Sequence, residues 1–165
     1  MQAGLGCSSP GVPISTQFGS RFAKRVLLHR VRASVEAAIH ERYRERLLHA
    51  NENDTVFLEN LFDVRWPNAP HRVLKNETVH TWEAAGRPPS GQRPGEGEVI
   101  GRSRSIGPIV RYQSYTPGPD TEGDVDAMSL WAGQSVGLVS TVQPAGDIVR
   151  EIADRAKSII QRLAE

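Results

Sequence analysis

The stretch Gly123-Asp124-Val125-Asp126-Ala127-Met128-Ser129-Leu130-Trp131-Ala132-Gly133-Gln134-Ser135-Val136-Gly137-Leu138-Val139 runs from an acidic turn through an apolar segment into closely spaced glycines. The pattern predicts a short helix over Val125–Trp131, followed by a glycine-punctuated segment. Asp124 and Asp126 lie on either side of the expected helix start, where a carboxylate can cap free backbone N–H groups. Capping explains these two residues more simply than acid–base catalysis.

Downstream of this stretch, the spacing of apolar residues predicts an amphipathic helix from Pro144 to the C-terminus. Its stripe consists of Ile148, Val149, Ile152, Ala156, Ile159, Ile160 and Leu163. Pro144 suits the first helical turn, where a missing N–H costs nothing. Because an isolated helix gains its stability mainly from packing, the stripe predicts contact with a larger surface.

Upstream, a second helix is expected from about Ser34 to Ala50, with Ser34 as the N-cap. Its apolar face would be formed by Val35, Ile39, Tyr43 and Leu47. Short β-branched runs predict strands at Val12–Phe18, Thr55–Leu58 and Arg72–Leu74. The pattern of Lys24–Arg32 leaves helix and strand equally open.

Glycine and proline are concentrated in one region of the chain. Thirteen of these residues fall within Gly86–Pro119, which predicts a long loop. Residues 90–98 have almost nothing to bury, so we expect that part of the loop to be mobile or disordered.

The composition excludes several classes of protein. A chain of 165 residues suits one domain, and a formal net charge of +1 indicates no strongly charged partner. The single cysteine, Cys7, excludes a disulfide scaffold and a Cys-rich zinc site and fits a cytoplasmic location. No apolar run approaches the ~18 residues of a membrane span. The histidines lack a metal-ligand spacing, so no metal site is expected; they are His29, His40, His49, His71 and His80.

Two features could bind phosphate groups. A strand-like run turns at Gln17-Phe18-Gly19-Ser20, and such a turn aims backbone N–H groups and a hydroxyl outward. Separately, the segment Arg21–Arg46 contains eight basic residues and only three glutamates. Such a basic cluster suggests RNA or DNA binding as an alternative function. Aromatic residues are not interleaved with it as a base-stacking platform, so a solvated helix face explains the cluster better.

Three blocks of the sequence carry a resemblance when taken together: Gln17-Phe18-Gly19-Ser20-Arg21-Phe22, His40-Glu41-Arg42-Tyr43-Arg44 and Gly123–Val139. They resemble the C-terminal part of the nitronate monooxygenase (2-nitropropane dioxygenase) family, flavoenzymes with a TIM-barrel core. The first block looks like the family's turn after a late barrel strand, and the second resembles its His-Pro-x-Tyr-Lys helix. The most specific block is Gly123–Val139, which is similar to the segment before the family's terminal helix. Related flavin-dependent enoyl reductases and quinone reductases share these features.

The resemblance implies FMN as cofactor, a nitronate and O2 as substrates, and a carbonyl compound and nitrite as products. By position, Gln17, Phe18, Gly19 and Ser20 would contact the phosphate end of FMN. Neither a nucleic acid nor a membrane is expected as a partner.

The implied fold is α/β: the C-terminal fragment of a TIM-barrel flavoenzyme, mostly helix and coil as an isolated chain. Its expected parts are the end of the barrel (1–50), a connecting segment (51–85), a flexible loop (86–119) and a C-terminal helical extension (120–165). A TIM barrel needs ~250 residues, and the family's earlier strands and its active-site histidine segment have no counterpart. We therefore assign no catalytic residue and expect this chain alone to be inactive. The alternatives are an enoyl or quinone reductase of the same superfamily, or a non-catalytic basic binding module.

Overall fold

The computed structural model describes residues 30–164, and three α-helices and five β-strands begin and end within that range. The helices are α1 (Glu41–His49), α2 (Glu77–Ala84) and α3 (Ala145–Leu163). The strands are β1 (Thr55–Leu58), β2 (His71–Leu74), β3 (Val99–Ser103), β4 (Gly107–Val110) and β5 (Thr121–Gly123). The predicted strand at Val12–Phe18 lies outside the described residues, as does most of Lys24–Arg32.

Helix α1 begins six residues later than the sequence predicts. His40, not Ser34, is the N-cap: its backbone is extended, and its imidazole Nδ1 accepts the backbone N–H of Arg42 at 3.1 Å. The His40 N–H donates to the carbonyl of Pro117 at 2.9 Å and is therefore not bonded within a helix. The predicted apolar face is confirmed for Tyr43 and Leu47; Ile39 is buried but precedes the helix, and Val35 is exposed.

Strands β1 and β2 pair antiparallel, with Thr55 opposite Leu74 and Leu58 opposite His71. Both strands were expected from their β-branched runs. The second extends one residue further back than predicted, to His71, whose side chain is buried.

The second sheet corrects one expectation. We expected a loop throughout Gly86–Pro119, but β3 and β4 form there, and β3 also pairs with β5. Glycine and proline are compatible with this sheet for local reasons. Gly107, at φ +79°, sits at the tight β3–β4 connection, and Pro108 lies on the edge strand β4, where a missing N–H is tolerated.

Residues 90–98 also differ from expectation, because Arg93 is buried at their centre. Its guanidinium donates to Asp63 at 2.8 Å and to Glu96 at 2.5 Å, and its side chain is only 1% exposed. The same group lies 4.5 Å from the ring centre of Tyr112. The bonds from Arg93, with those from two backbone N–H groups, lower the pKa of the Glu96 carboxyl to about 2.

The stretch 123–139 forms two short 3-10 helices, at Val125–Ala127 and Gln134–Leu138, in place of the helix that its sequence predicts over Val125–Trp131. Only Val125–Ala127 makes a 3-10 turn before Trp131, and Asp124 caps it through the Ala127 N–H, as expected. Beyond this turn, the carbonyls needed for an α-helix are bonded elsewhere: Ala127 accepts from Thr78 at 2.7 Å and Met128 from Asn76 at 2.7 Å. Tertiary bonds thus replace the predicted helix over Val125–Trp131.

Three hydrophobic clusters form the core, and the stretch 123–139 contributes to each. The first is Ile39, Tyr43, Leu47, Leu74, Val125, Leu130, Ala132 and Val136. The second is Leu58, Leu61, Phe62, Val73, Val79, Trp82 and Tyr112, with Trp131 packed against it. The third is Ile100, Ile109, Ala127 and Met128.

Helix α3 confirms the predicted amphipathic helix, with Pro144 as its N-cap. Its packing is limited to its first half. Ile148 is buried and Glu151 pairs with Arg30 at 2.5 Å, whereas the later stripe is exposed, with Leu163 at 82%. Within the described residues, the larger surface that we expected under this stripe is absent. Across residues 30–164, no helix combines the length and apolarity that crossing a membrane requires.

Candidate functional site

The predicted phosphate turn, formed by Gln17, Phe18, Gly19 and Ser20, lies outside the described residues. Two of the three resemblance blocks, His40–Arg44 and Gly123–Val139, lie within them. The structure brings these two blocks together, and their contacts define the candidate site.

Tyr43 joins the two blocks. Its hydroxyl donates to the carbonyl of Trp131 at 2.5 Å, and the guanidinium of Arg32 donates both to that hydroxyl at 3.1 Å and to the same carbonyl at 3.0 Å. Burial raises the pKa of the Tyr43 phenol, so the hydroxyl stays protonated as a donor. The Trp131 carbonyl is therefore held by two donors, one of them from α1.

Asp126 forms a second link between the blocks. Its carboxylate accepts from Arg42 at 2.9 Å and from Arg46 at 2.7 Å. The sequence suggested capping for Asp126, but only Asp124 caps the turn. No spacing rule predicts this pairing, because the partners lie 84 and 80 residues apart along the chain.

An aromatic cluster surrounds the side chain of Trp131. His71 contacts it edge-on at 5.0 Å between ring centres, Trp66 at 5.9 Å and Phe62 at 6.4 Å. The tryptophans differ in exposure: Trp66 is 53% exposed, whereas Trp131 is partly buried. Sequence reasoning missed this cluster, because its members come from three separate segments of the chain.

His71 is buried within the aromatic cluster and uses only one ring nitrogen. Nδ1 lies 2.7 Å from the carbonyl of Ala69, which assigns the proton to Nδ1. Nε2 is buried without a hydrogen-bond partner among the described residues. Burial lowers the pKa of His71, although the bond to Ala69 and the nearby carboxylate of Asp63 oppose that shift.

His71 gives the fold a predictable pH dependence. Because its native pKa lies below the ordinary value of 6.5, the unfolded chain takes up a proton there more readily, and stability falls as pH drops below about 6.5. We expect His71→Phe to flatten the decline in unfolding free energy between about pH 7.5 and 5.5, measured by urea denaturation. His80→Gln, an exposed control, should keep the parental slope. A parental slope in His71→Phe would contradict this assignment.

The basic segment Arg21–Arg46 is largely occupied by protein contacts where it is described. Besides Arg32, Arg42 and Arg46, Arg30 bonds Gln143 and Glu151, and Arg44 bonds Glu41 and the carbonyl of Ala37. Arg21, Lys24 and Arg25 lie outside the described residues. Five arginines of the segment thus stabilise this fold through partners of their own.

Histidines and acidic residues do not converge in the part of the chain that the structure covers. Within residues 30–164, no three His, Cys, Asp or Glu side chains lie close enough together to hold a metal ion. His40 caps α1 and His71 is buried among aromatic rings, roles that the sequence did not indicate.

Comparison with known proteins gives a short sequence match and a broader structural one. No protein-family model matches the chain. Over 43 residues it is 42% identical to a nitronate monooxygenase of Neurospora crassa, a match that covers 26% of this chain and 11% of that protein.

Among solved structures, FabK from Thermotoga maritima superimposes with a TM-score of 0.58 at 24% identity, over 82% of this chain and 37% of FabK. A point mutant of FabK gives a TM-score of 0.47 at 22% identity, over 81% of this chain and 33% of the mutant. At this identity the likeness concerns the fold alone. The chain therefore shares a mixed helix and strand fold with little more than a third of FabK, and a short stretch of sequence with a nitronate monooxygenase.

Proposed function

We propose that this chain is the C-terminal part of an FMN-dependent oxidoreductase of the nitronate monooxygenase type. The observation that carries the proposal is the contact between two resemblance blocks: Tyr43 bonds the Trp131 carbonyl, and Arg42 bonds Asp126. Two segments that resemble the family thus also interact in three dimensions. The short match to the Neurospora crassa protein and the fold shared with FabK support the same assignment.

In this proposal the turn Gln17-Phe18-Gly19-Ser20 holds the phosphate of FMN. Backbone N–H groups and the Ser20 hydroxyl are suitable donors to a phosphate, and the phosphate carries charge that a turn of this kind binds well. When bound, the flavin supplies the redox chemistry, in which a nitronate and O2 give a carbonyl compound and nitrite. The protein's part is to orient the cofactor.

The reaction itself requires residues that this sequence does not offer. The resemblance does not assign the family's active-site histidine to any of the five histidines present. The chain also spans little more than a third of FabK, and its match covers about a tenth of the Neurospora crassa protein. We therefore propose that the chain alone binds the phosphate end of the cofactor but does not turn over.

A paired flavin titration tests this function. We expect the full chain to bind FMN at least about tenfold more tightly than riboflavin, because only FMN carries the phosphate, and tenfold corresponds to about 1.4 kcal/mol. Ser20→Ala should reduce that preference, and Ser8→Ala, outside the turn, should preserve it. Flavin fluorescence quenching gives both affinities.

Two outcomes would overturn parts of the proposal. Equal affinity for FMN and riboflavin would contradict the proposal that Gln17–Ser20 binds the phosphate of FMN. Nitrite release on adding a nitronate to the purified chain with FMN would contradict the expectation of an inactive fragment. A basic binding module is not favoured, since five arginines of the basic segment already have protein partners.

A further inference from the structure

A cleft opens beside the C-terminal end of α1, lined by none of the residues of the aromatic cluster. It lies between that helix end, the turn at residues 51–54 and the junction of β2 with α2, and its volume is about 420 Å³. Its lining consists of Arg46, His49, Ala50, Asn53, Asp54, Leu74, Lys75 and His80. Only Ala50 and Leu74 are apolar, so the cleft suits a polar ligand.

The cleft offers many more hydrogen-bond donors than acceptors. Arg46 and Lys75 carry positive charge at neutral pH, and the two imidazoles can present N–H groups. Asp54 is the one carboxylate in the lining, and one of its oxygens already accepts the Asn51 N–H at 2.8 Å. Because Arg46 is already paired with Asp126, Lys75 is the main attraction for an anion in this cleft, and the imidazole N–H groups add neutral donors.

The donors differ in how firmly they are held. Arg46 is fixed by Asp126 at 2.7 Å and by the carbonyl of Lys75 at 2.8 Å. The Nδ1 of His49 lies 2.8 Å from the carbonyl of Glu45, which orients the ring and leaves Nε2 for another partner. The Arg46 guanidinium and the His49 imidazole are thus held in fixed orientations on one side of the cleft.

Lys75 and His80 complete the cleft with uncommitted side chains. Within residues 30–164, neither side chain takes part in any hydrogen bond or ion pair that the structure shows. The Lys75 backbone is anchored by its N–H to the carbonyl of Asp54 at 2.8 Å, and His80 projects from the middle of α2. Both side chains are exposed and line the same cleft, so they can bind one ligand without a change of fold.

We propose that this cleft binds a small molecule bearing a phosphate group, with Lys75 and His80 as its direct ligands and Arg46 and His49 beside them. The volume exceeds that of a phosphate ion and falls within the usual range for small-molecule sites. None of the residues that line the cleft belongs to the proposed flavin turn at Gln17–Ser20, and the proposal does not depend on the proposed function.

Nuclear magnetic resonance of the histidine rings tests the site in the full chain. Titrating inorganic phosphate at pH 7, against sodium chloride at matched ionic strength, should shift the His49 and His80 resonances in a saturable manner while leaving buried His71 unchanged. Lys75→Gln should weaken binding at least about fivefold, which corresponds to about 1 kcal/mol. Lys157→Gln, which removes an exposed lysine of α3, should leave the affinity unchanged, as should Ser20→Ala, which alters only the flavin turn.

A second arm distinguishes the source of the phosphate. A nucleoside monophosphate that binds more tightly than inorganic phosphate would show that an organic group also occupies the cleft, and equal affinities would assign the site to the phosphate alone. The proposal is overturned if the shifts grow linearly without saturation, if chloride reproduces them, or if Lys75→Gln binds phosphate as the parent does. Since Lys75 is exposed, its substitution should not disturb folding, and His80→Gln provides an independent variant.

Discussion

Replacing Arg93 by alanine should lower the free energy of unfolding by about 3–5 kcal/mol, because it leaves two partly buried carboxylates without their cation. Asp63 and Glu96 are 17% and 22% exposed, and both depend on the same guanidinium. The change also removes the cation over the Tyr112 ring and a bond to the carbonyl of Leu61. Urea denaturation monitored by tryptophan fluorescence measures the loss.

Arg87→Ala is the matched control for this change. Arg87 also pairs with a glutamate, Glu83 at 2.6 Å, and also lies over an aromatic ring, Trp82 at 5.6 Å, but its side chain is 63% exposed. Exposed pairs of this kind contribute up to about 1 kcal/mol. Similar losses in the two variants would show that burial does not set the importance of Arg93.

The second large effect is expected at Gly123, the first residue of the stretch 123–139 and the last residue of β5. Its φ of +110° disfavours any side chain, and a Cβ there would lie 2.5 Å from the carbonyl oxygen of Ile100 and 2.6 Å from the Cα of Gly101. Both atoms belong to the backbone of β3 and cannot rotate away. Gly123→Ala should therefore cost about 3 kcal/mol or more, combining backbone strain with overpacking.

Gly97→Ala separates these two contributions. Gly97 has a φ of +83°, but no atom lies within 4 Å of the place that a Cβ would take, so only backbone strain applies. We expect a loss of about 1 kcal/mol, from the same urea experiment. If Gly123→Ala lowers the free energy of unfolding no more than Gly97→Ala does, then β5 and β3 do not lie as close together at Gly123 as the structure shows.

The sequence predicted those elements whose signals are local. Strand β1 was predicted to the residue and the start of α3 to within one residue, because β-branched runs and a proline at a helix start act on their own neighbourhood. The start of α1 was predicted wrongly, since the residue that sets it, His40, is held by Pro117 far along the chain. Distant partners also explain why the helix predicted over Val125–Trp131 stops after Ala127. The carbonyls of Ala127 and Met128 there accept hydrogen bonds from Thr78 and Asn76.

The sheet over residues 99–123 was missed for a different reason. Glycine and proline lower strand propensity in general, yet here they occupy places that tolerate or require them: a sharp connection at Gly107 and an edge at Pro108. The burial of Arg93 could not be predicted either. An arginine among polar residues is typical of an exposed loop, and the sequence does not show that Asp63 and Glu96 are its partners.

The candidate site was predicted in part. The resemblance indicated that the blocks at His40–Arg44 and Gly123–Val139 matter, but it did not indicate how they meet, through Tyr43 and Asp126. The flavin turn at Gln17–Ser20 stays a prediction. The phosphate cleft draws on residues from several elements with no shared motif, which only a folded chain can bring together.

The position of the stretch 123–139 also sets an order of assembly. All three hydrophobic clusters contain or contact residues of this stretch, and it follows most of their other members in the chain. During synthesis from the N-terminus, the earlier helices and strands therefore expose part of their apolar surface until residues 123–139 have been added. Contacts between such distant residues form slowly. None of the three clusters can therefore be completed during synthesis before residues 123–139 have been added to the chain.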